Sequence, residues 1–235
     1  MRERLQRRAV APRPSSISNS ITRLSIQIGR FGIGNVLRQA LKIIRENFRA
    51  YLALNLFFYG LMALSIVYVS GHPEVGKACH LALKKSVEEG LLSLSYRAYY
   101  VERSIPLAFV LTFFINLILG SAVYLTLPSF VIPFSGIAVL AYRFIVWGLI
   151  TGPEGISRFV NLGTLVLEGQ GYIIAALAIF LQGSRYVRWR HYGFPSADAA
   201  FRAGFTCTLR LYSVVTVVLL AAALFESILT ISAYR

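Results

Sequence analysis

An all-α integral membrane protein with about five transmembrane helices, flanked by amphipathic helices on both faces, is the fold class that three features of this sequence predict. The chain is 56% hydrophobic and only 14% charged, whereas roughly a quarter of the residues of a soluble domain are charged. Its apolar residues gather into runs long enough to cross a bilayer. Its 24 Lys+Arg outnumber 10 Asp+Glu and stand beside those runs, as orientation charge does. The cations form no groove interleaved with aromatics, so nucleic acid is not an expected partner. The spans leave no room for a separate soluble enzyme domain.

The chain divides into residues 1–48, a basic tail with an interfacial amphipathic helix, and residues 49–235, a five-helix transmembrane domain. The tail is Arg-rich, and no apolar stretch follows within 30 residues, which argues against a cleaved secretory signal. An organellar transit peptide is the alternative to a cytoplasmic tail. Within residues 21–48, Ile33, Leu37, Leu41, Ile44 and Phe48 recur at helical spacing, with Arg38, Lys42, Arg45 and Arg49 running parallel to them. An apolar stripe beside a cationic one suits either a helix lying on anionic headgroups or one packed on the protein's own underside.

The first span is expected at about 50–70, free of charge and 21 residues long, which covers about 30 Å. Residues 71–104 are polar, with Leu83, Val87, Leu91 and Leu94 on one helical face, Lys84–Glu88 and Lys85–Glu89 as i,i+4 pairs, and Tyr96, Tyr99 and Tyr100 as an interfacial belt. Residues 105–151 are apolar throughout, too long for one crossing, and Pro128 and Pro133 bracket the middle. Two spans at 105–127 and 132–151 are the economical reading, and a re-entrant hairpin is the alternative. Further spans are expected at 161–182 and 211–232. Between them, the basic 183–210 loop includes Arg185, Arg188 and Arg190, and its segment Arg-Trp-Arg-His-Tyr-Gly-Phe (188–194) reads as an interfacial anchor rather than an RNA-binding strip.

Positive charge sets the orientation. Residues 1–49 hold 11 Lys/Arg and two acids, and 183–210 hold five Arg and one Asp, whereas 71–104 are nearly balanced with five basic and four acidic residues. The N-terminus and the 183–210 loop are therefore expected in the cytoplasm, and five crossings put the C-terminus outside. A bacterial or archaeal inner membrane is the expected location, with an organellar inner membrane as the alternative.

Arg143 falls near the centre of the third span, where a cation is unfavourable by about 2.5–3.5 kcal/mol. Glu168 and Glu226 are the intramembrane acids at similar depth, and Asn116 and Gln170 complete a polar centre. The third and fourth spans are joined by about ten residues and should pack antiparallel, which brings Arg143 opposite Glu168, with Glu226 as the substitute acid. This set either lines a path for an ion, proton or small polar solute, or locks the bundle in one register.

Catalytic chemistry finds no foothold in the sequence. No intramembrane-protease pattern, Walker motif or dinucleotide fingerprint occurs, and no cofactor is implied. His72, His80 and His191 all lie outside the spans, and the two cysteines, Cys79 and Cys207, fall on opposite sides of the expected membrane. Metal and disulfide sites are therefore not expected.

Three stretches resemble the stage II sporulation protein M family of small polytopic membrane proteins: Ile-Arg-Glu-Asn-Phe-Arg-Ala-Tyr (44–51), Phe-Phe-Ile-Asn-Leu (113–117) and Leu-Glu-Gly-Gln-Gly-Tyr-Ile-Ile-Ala-Ala (167–176). The resemblance extends over about residues 40–235. The Pro-His-Gly frequent in that family's fourth span is missing, and the acid is displaced to Glu168. The resemblance implies a membrane scaffold that gathers other proteins. Resemblance and residues together lead to a non-enzymatic scaffold or accessory subunit whose partners are other membrane proteins and anionic headgroups, with homo-oligomers compatible. A small transporter or channel component with a Glu/Arg polar centre is the alternative.

Overall fold

A computed structural model of the chain describes residues 33–89, 93–151 and 157–233, excepting the side chains of residues 33, 84, 86–89, 157–161 and 233. The expected tail over residues 1–32 and the two Lys–Glu pairs of the 71–104 segment lie outside the described residues. About nine in ten of the described residues are helical and none is in a strand.

The helices are α1 (Ile33–Glu46), α2 (Phe48–Gly71), α3 (Pro73–Glu89), α4 (Ser93–Tyr96), α5 (Ile105–Val131), α6 (Ser135–Ile150), α7 (Ser157–Val187) and α8 (Ala197–Ala233). A π-helical turn, Arg97–Val101, follows α4, and α5 is π-helical over Ile115–Thr126. Four helical segments are long and apolar enough to cross a membrane: Phe48–Gly71, Ile105–Val131, Leu162–Val187 and Ala197–Ser232. The chain is a membrane protein.

The boundaries depart from the sequence expectation in four places. The span expected at 132–151 is a helix of 16 residues, about 24 Å long, shorter than a hydrocarbon core of roughly 30 Å. Its first three expected residues instead make the turn from α5. The 183–210 loop shrinks to residues 188–196, because α7 runs on to Val187 and α8 already starts at Ala197. Ser196 caps that start by accepting the Ala199 N–H at 3.1 Å, and Arg202 pairs with Asp198 one turn away at 2.7 Å. These charges depress the local hydropathy without interrupting the helix. Third, Tyr99 is buried and shares a 2.9 Å hydrogen bond with Thr112, leaving only Tyr96 and Tyr100 exposed for a belt. Finally, α1 packs on the bundle: Ala40 is fully buried, and Leu37, Ile43 and Ile44 rest on a cluster that includes Leu177, Leu181, Cys207 and Leu211. Of its apolar stripe, Leu37 and Ile44 face the protein's own underside, whereas Leu41 and Phe48 are exposed. The described residues from Leu37 onward form a single compact unit.

The α5–α6 turn explains how an apolar sequence reverses direction. Pro128 starts a last helical turn and Ile132 N–H closes it on Pro128 O at 2.8 Å. Ser129 Oγ donates to Leu125 O and accepts the Gly136 N–H, both at 2.8 Å. Phe134 adopts φ +70°, a left-handed conformation that costs a non-glycine residue on the order of 1 kcal/mol. Its ring packs on Phe180 and Gly183 of α7. With the N–H groups of Ile132, Ser135, Gly136 and Ile137 bonded internally, the turn leaves few bare donors to an apolar surrounding.

Contacts give each helix a direction. Phe134 meets Gly183 and Phe144 meets Gly169, so α6 and α7 are antiparallel. Gly163 meets Phe225, Gly171 meets Leu219 and Gly204 meets Gln182, which makes α7 and α8 antiparallel as well. Helices α2 and α6 run parallel, with Phe58 against Phe144 and Gly148 against the Met62 backbone. The segment Tyr172–Ile179 of α7 is entirely buried, which makes α7 the helix on which the bundle closes.

Small residues at these crossings allow the close approach on which apolar helices depend when lipid is the solvent. A Cβ at Gly148 would come within 2.5 Å of Met62 O and Ser65 Cβ, whereas one at Gly60 would meet nothing within 4 Å. We expect Gly148→Ala to destabilise the protein by about 1–3 kcal/mol in thermal melts in mild detergent. Gly60→Ala should be neutral or stabilising by up to about 1 kcal/mol.

Candidate functional site

Three clusters of polar side chains lie at helix–helix crossings of the apolar helices. In the first, Arg143 of α6 donates from Nη2 to Glu168 Oε1 of α7 at 3.1 Å. The Glu168 side chain is 9% exposed and that of Arg143 29%. Trp147 and Tyr172, one turn further along each helix, place their rings 5.0 and 4.2 Å from the guanidinium carbon. Cation–π contacts of this kind add about 0.5–2 kcal/mol each when water is excluded. Gly120, in the π-helical part of α5, closes the cage. A Cβ there would collide with the Tyr172 hydroxyl and lie 3.0 Å from Arg143 Nη1.

The second cluster centres on Gln170. Its amide oxygen accepts from Tyr51 at 2.6 Å, and its Nε2 donates to Asn55 Oδ1 at 2.8 Å and to Tyr59 OH at 3.0 Å. Tyr59 in turn donates to Val166 O, and Asn55 Nδ2 to Tyr51 O. The third lies between α5 and α8, where Ser121 donates to Tyr212 OH at 3.0 Å and Thr126 shares a 2.5 Å hydrogen bond with the same hydroxyl.

The expected polar centre is thus partly dispersed. Arg143 and Glu168 meet. Gln170, two positions beyond Glu168, points about 200° away around the helix and serves α2 instead. Asn116 is buried in the π-helical stretch and makes no side-chain hydrogen bond among the described residues. Glu226 lies within electrostatic reach of Glu168 but pairs with no cation among the described residues. Outside the spans, burial pushes the Tyr99 phenol well above its usual value, and the Glu226 carboxylate adds to the shift.

Of the basic residues expected at the headgroups, Arg38, Lys42, Arg45 and Arg49 are exposed, with Lys42 3.7 Å from Glu46. Arg188 is exposed, Arg190 stacks on Trp189 at 5.0 Å, and Arg185 donates to Ala203 O at 3.4 Å.

Sequence reasoning missed Tyr51, Asn55 and Tyr59. Their signal was present as three polar-tipped residues at four-residue steps in an otherwise apolar helix, which is one face. Tyr212, Ser121 and Thr126 had no comparable local signal.

Comparison of the chain with protein-family models, with curated proteins and with solved structures finds no match.

Breaking the ion pair from one side should be costly. Glu168→Gln leaves the guanidinium without a counter-charge in low dielectric and is expected to lower stability by about 3–5 kcal/mol. The double variant Arg143→Met/Glu168→Leu should be much milder, and a double-mutant cycle on detergent melts and assembly yield reads the coupling. Strictly additive losses would rule the coupling out. Gln170→Leu, which strips three hydrogen bonds at once, should cost about 1–3 kcal/mol in the same assay.

Proposed function

We propose that this chain is a non-enzymatic integral membrane scaffold or accessory subunit that assembles with other membrane proteins. One observation carries the reading. Gln170 and Tyr212 spend their side-chain hydrogen bonds at helix crossings, and Arg143 and Glu168 face each other. Polar groups arranged this way hold helices in register. The apolar faces left outward, among them Leu56, Leu64 and Val67 of α2, are surfaces for lipid or partner helices. The scaffold role implied by the family resemblance enters only as a direction, since a fold does not carry a function with it.

Five crossings are part of the proposal. Helices α2, α5, α6, α7 and α8 alternate in direction, and α5 runs antiparallel to α8 with Ala108 near Ile231 and Thr126 near Tyr212. Alternation supports a full pass for α6 despite its 16 residues, since a locally thinned bilayer accommodates a short span. The basic end, with α1 and the 188–196 turn, would then face the cytoplasm of a bacterial or archaeal cell, where its exposed cations meet anionic headgroups. Single cysteines at Lys42 and Arg188 should react with an impermeant maleimide only from the cytoplasmic side, and one at Glu74 only from the other. Equal labelling of Glu74→Cys and Lys42→Cys from one side would defeat the scheme.

Purification from native membranes in mild detergent should recover stoichiometric membrane-protein partners. A lone monomer that moves a solute across sealed liposomes would overturn the scaffold reading. Transport keeps one point in its favour, Glu226 near Glu168 without a cation partner among the described residues. Under that second reading, wild-type flux is abolished by Glu226→Gln without loss of fold.

A further inference from the structure

Between the π-helical stretch of α5 and the middle of α6 lies a cleft of about 360 Å³, bounded at one end by Leu83 of α3. This size falls within the range of small-molecule sites. Its wall is apolar and aromatic, with Tyr124, Tyr142 and Trp147 beside Val139 and Val146. Tyr142 is 70% exposed and Tyr124 57%, so both rings stand at the mouth rather than in the core. Arg143 contributes a guanidinium to this otherwise apolar lining. Nη2 serves Glu168, while Nη1 stands on the side of Gly120. Gly120 is also a wall residue, and the Arg143 side chain, 29% exposed, is the charged part of the lining.

Position and charge narrow the occupant. The lining runs along α6 from Val139 to its last residue, Ile150, with Arg143 between them, and the exposed apolar and aromatic residues of its rim, Val139, Tyr124 and Tyr142, open it to a molecule dissolved in the membrane. Glu168 already balances the guanidinium. An anionic head would bring a second negative charge to an already neutral pair, whereas a neutral acceptor gains a charge-assisted hydrogen bond and disturbs nothing. A hydrocarbon chain alone would leave the partly exposed guanidinium facing apolar atoms. Two tyrosine rings at the mouth favour a flat, conjugated head over a branched one.

We propose that this cleft binds a neutral, lipid-soluble ring carbonyl of the quinone class, its carbonyl oxygen accepting from Arg143 and its ring lying against Tyr124 and Tyr142. The tail would leave between α5 and α6 into the acyl chains. Binding alone is assigned, with no electron transfer. The inference depends on the membrane placement and not on the scaffold reading, so either stands if the other falls.

Trp147 lines the cleft and reports on it directly, and the chain's other tryptophan, Trp189, sits in the turn after α7. The test uses the full chain carrying Trp189→Phe, in phosphatidylcholine nanodiscs, titrated with decyl-benzoquinone. Trp147 fluorescence should fall along a saturable curve. Val139→Phe fills the cleft from its lipid side without touching the ion pair and should weaken the apparent affinity at least tenfold, with an unchanged melting profile. The double variant Arg143→Met/Glu168→Leu keeps the packing and removes the donor, and should weaken it similarly. Undecanoate, with the same ten-carbon tail on a carboxylate head, should relieve the quenching by bound quinone at least tenfold less well than a non-quenching neutral cyclohexenone with that tail. Linear quenching that is identical in Val139→Phe would overturn the site. Relief by undecanoate as effective as by the neutral ketone would overturn the neutral-head assignment. Absence of saturable quenching because a second copy fills the cleft, shown by crosslinking through Tyr142→Cys, would likewise overturn it.

Discussion

A guanidinium on an apolar helix is the most demanding group this chain places away from water, and much of the bundle's arrangement follows from satisfying it. Arg143 needs a carboxylate at its own depth, and Glu168 supplies one only if α6 and α7 lie antiparallel in a single register. That register also seats Phe144 on Gly169 and Phe134 on Gly183. Shifting α7 by one residue would rotate Glu168 away by about 100°, strand the charge and push side chains into the glycine contacts. One electrostatic requirement and a row of close packings therefore select the same alignment, a mutual consistency that favours a single native state.

Helix α7 carries most of this load. Its successive faces meet α6 through Glu168, α2 through Gln170 and α8 through Gly171. The three lie within four residues because a helix turns about 100° per step, so neighbouring positions serve different partners. Bonds made away from water compete with few alternatives, yet each contributes modestly in a membrane, about 0.6 kcal/mol on average. Their importance is in choosing the register among apolar surfaces that lipid would solvate equally well.

The π-helical part of α5 is the least expected element. Long π-helical stretches are rare and recur near functional sites. Here the wider winding brings Asn116, Gly120, Ser121, Leu125 and Thr126 inward. Gly120 reaches the Arg143 cage while Ser121 and Thr126 reach Tyr212 on another helix. The same stretch forms one wall of the cleft beside Arg143.

Much of the architecture was legible in the amino-acid order. Apolar runs with few charges must be helices in a membrane, since only helices and closed barrels satisfy the backbone there, and the four crossing segments follow from length and composition. The Arg143–Glu168 contact was also legible, because a central cation needs an acid and only depth and loop length entered the choice. Other features depended on tertiary structure. Gln170 serves α2 rather than the ion pair because the rotation of α7 is set by packing, and α1 rests on Leu181 and Leu211 because complementary apolar shape was available there. The early start of α8 was hidden by charges that a cap and an i,i+4 pair absorb. The short α6 and the π-helical winding of α5 depend on how the hairpin turn and the glycine contacts close around Arg143, a three-dimensional fit that periodicity along one dimension does not encode.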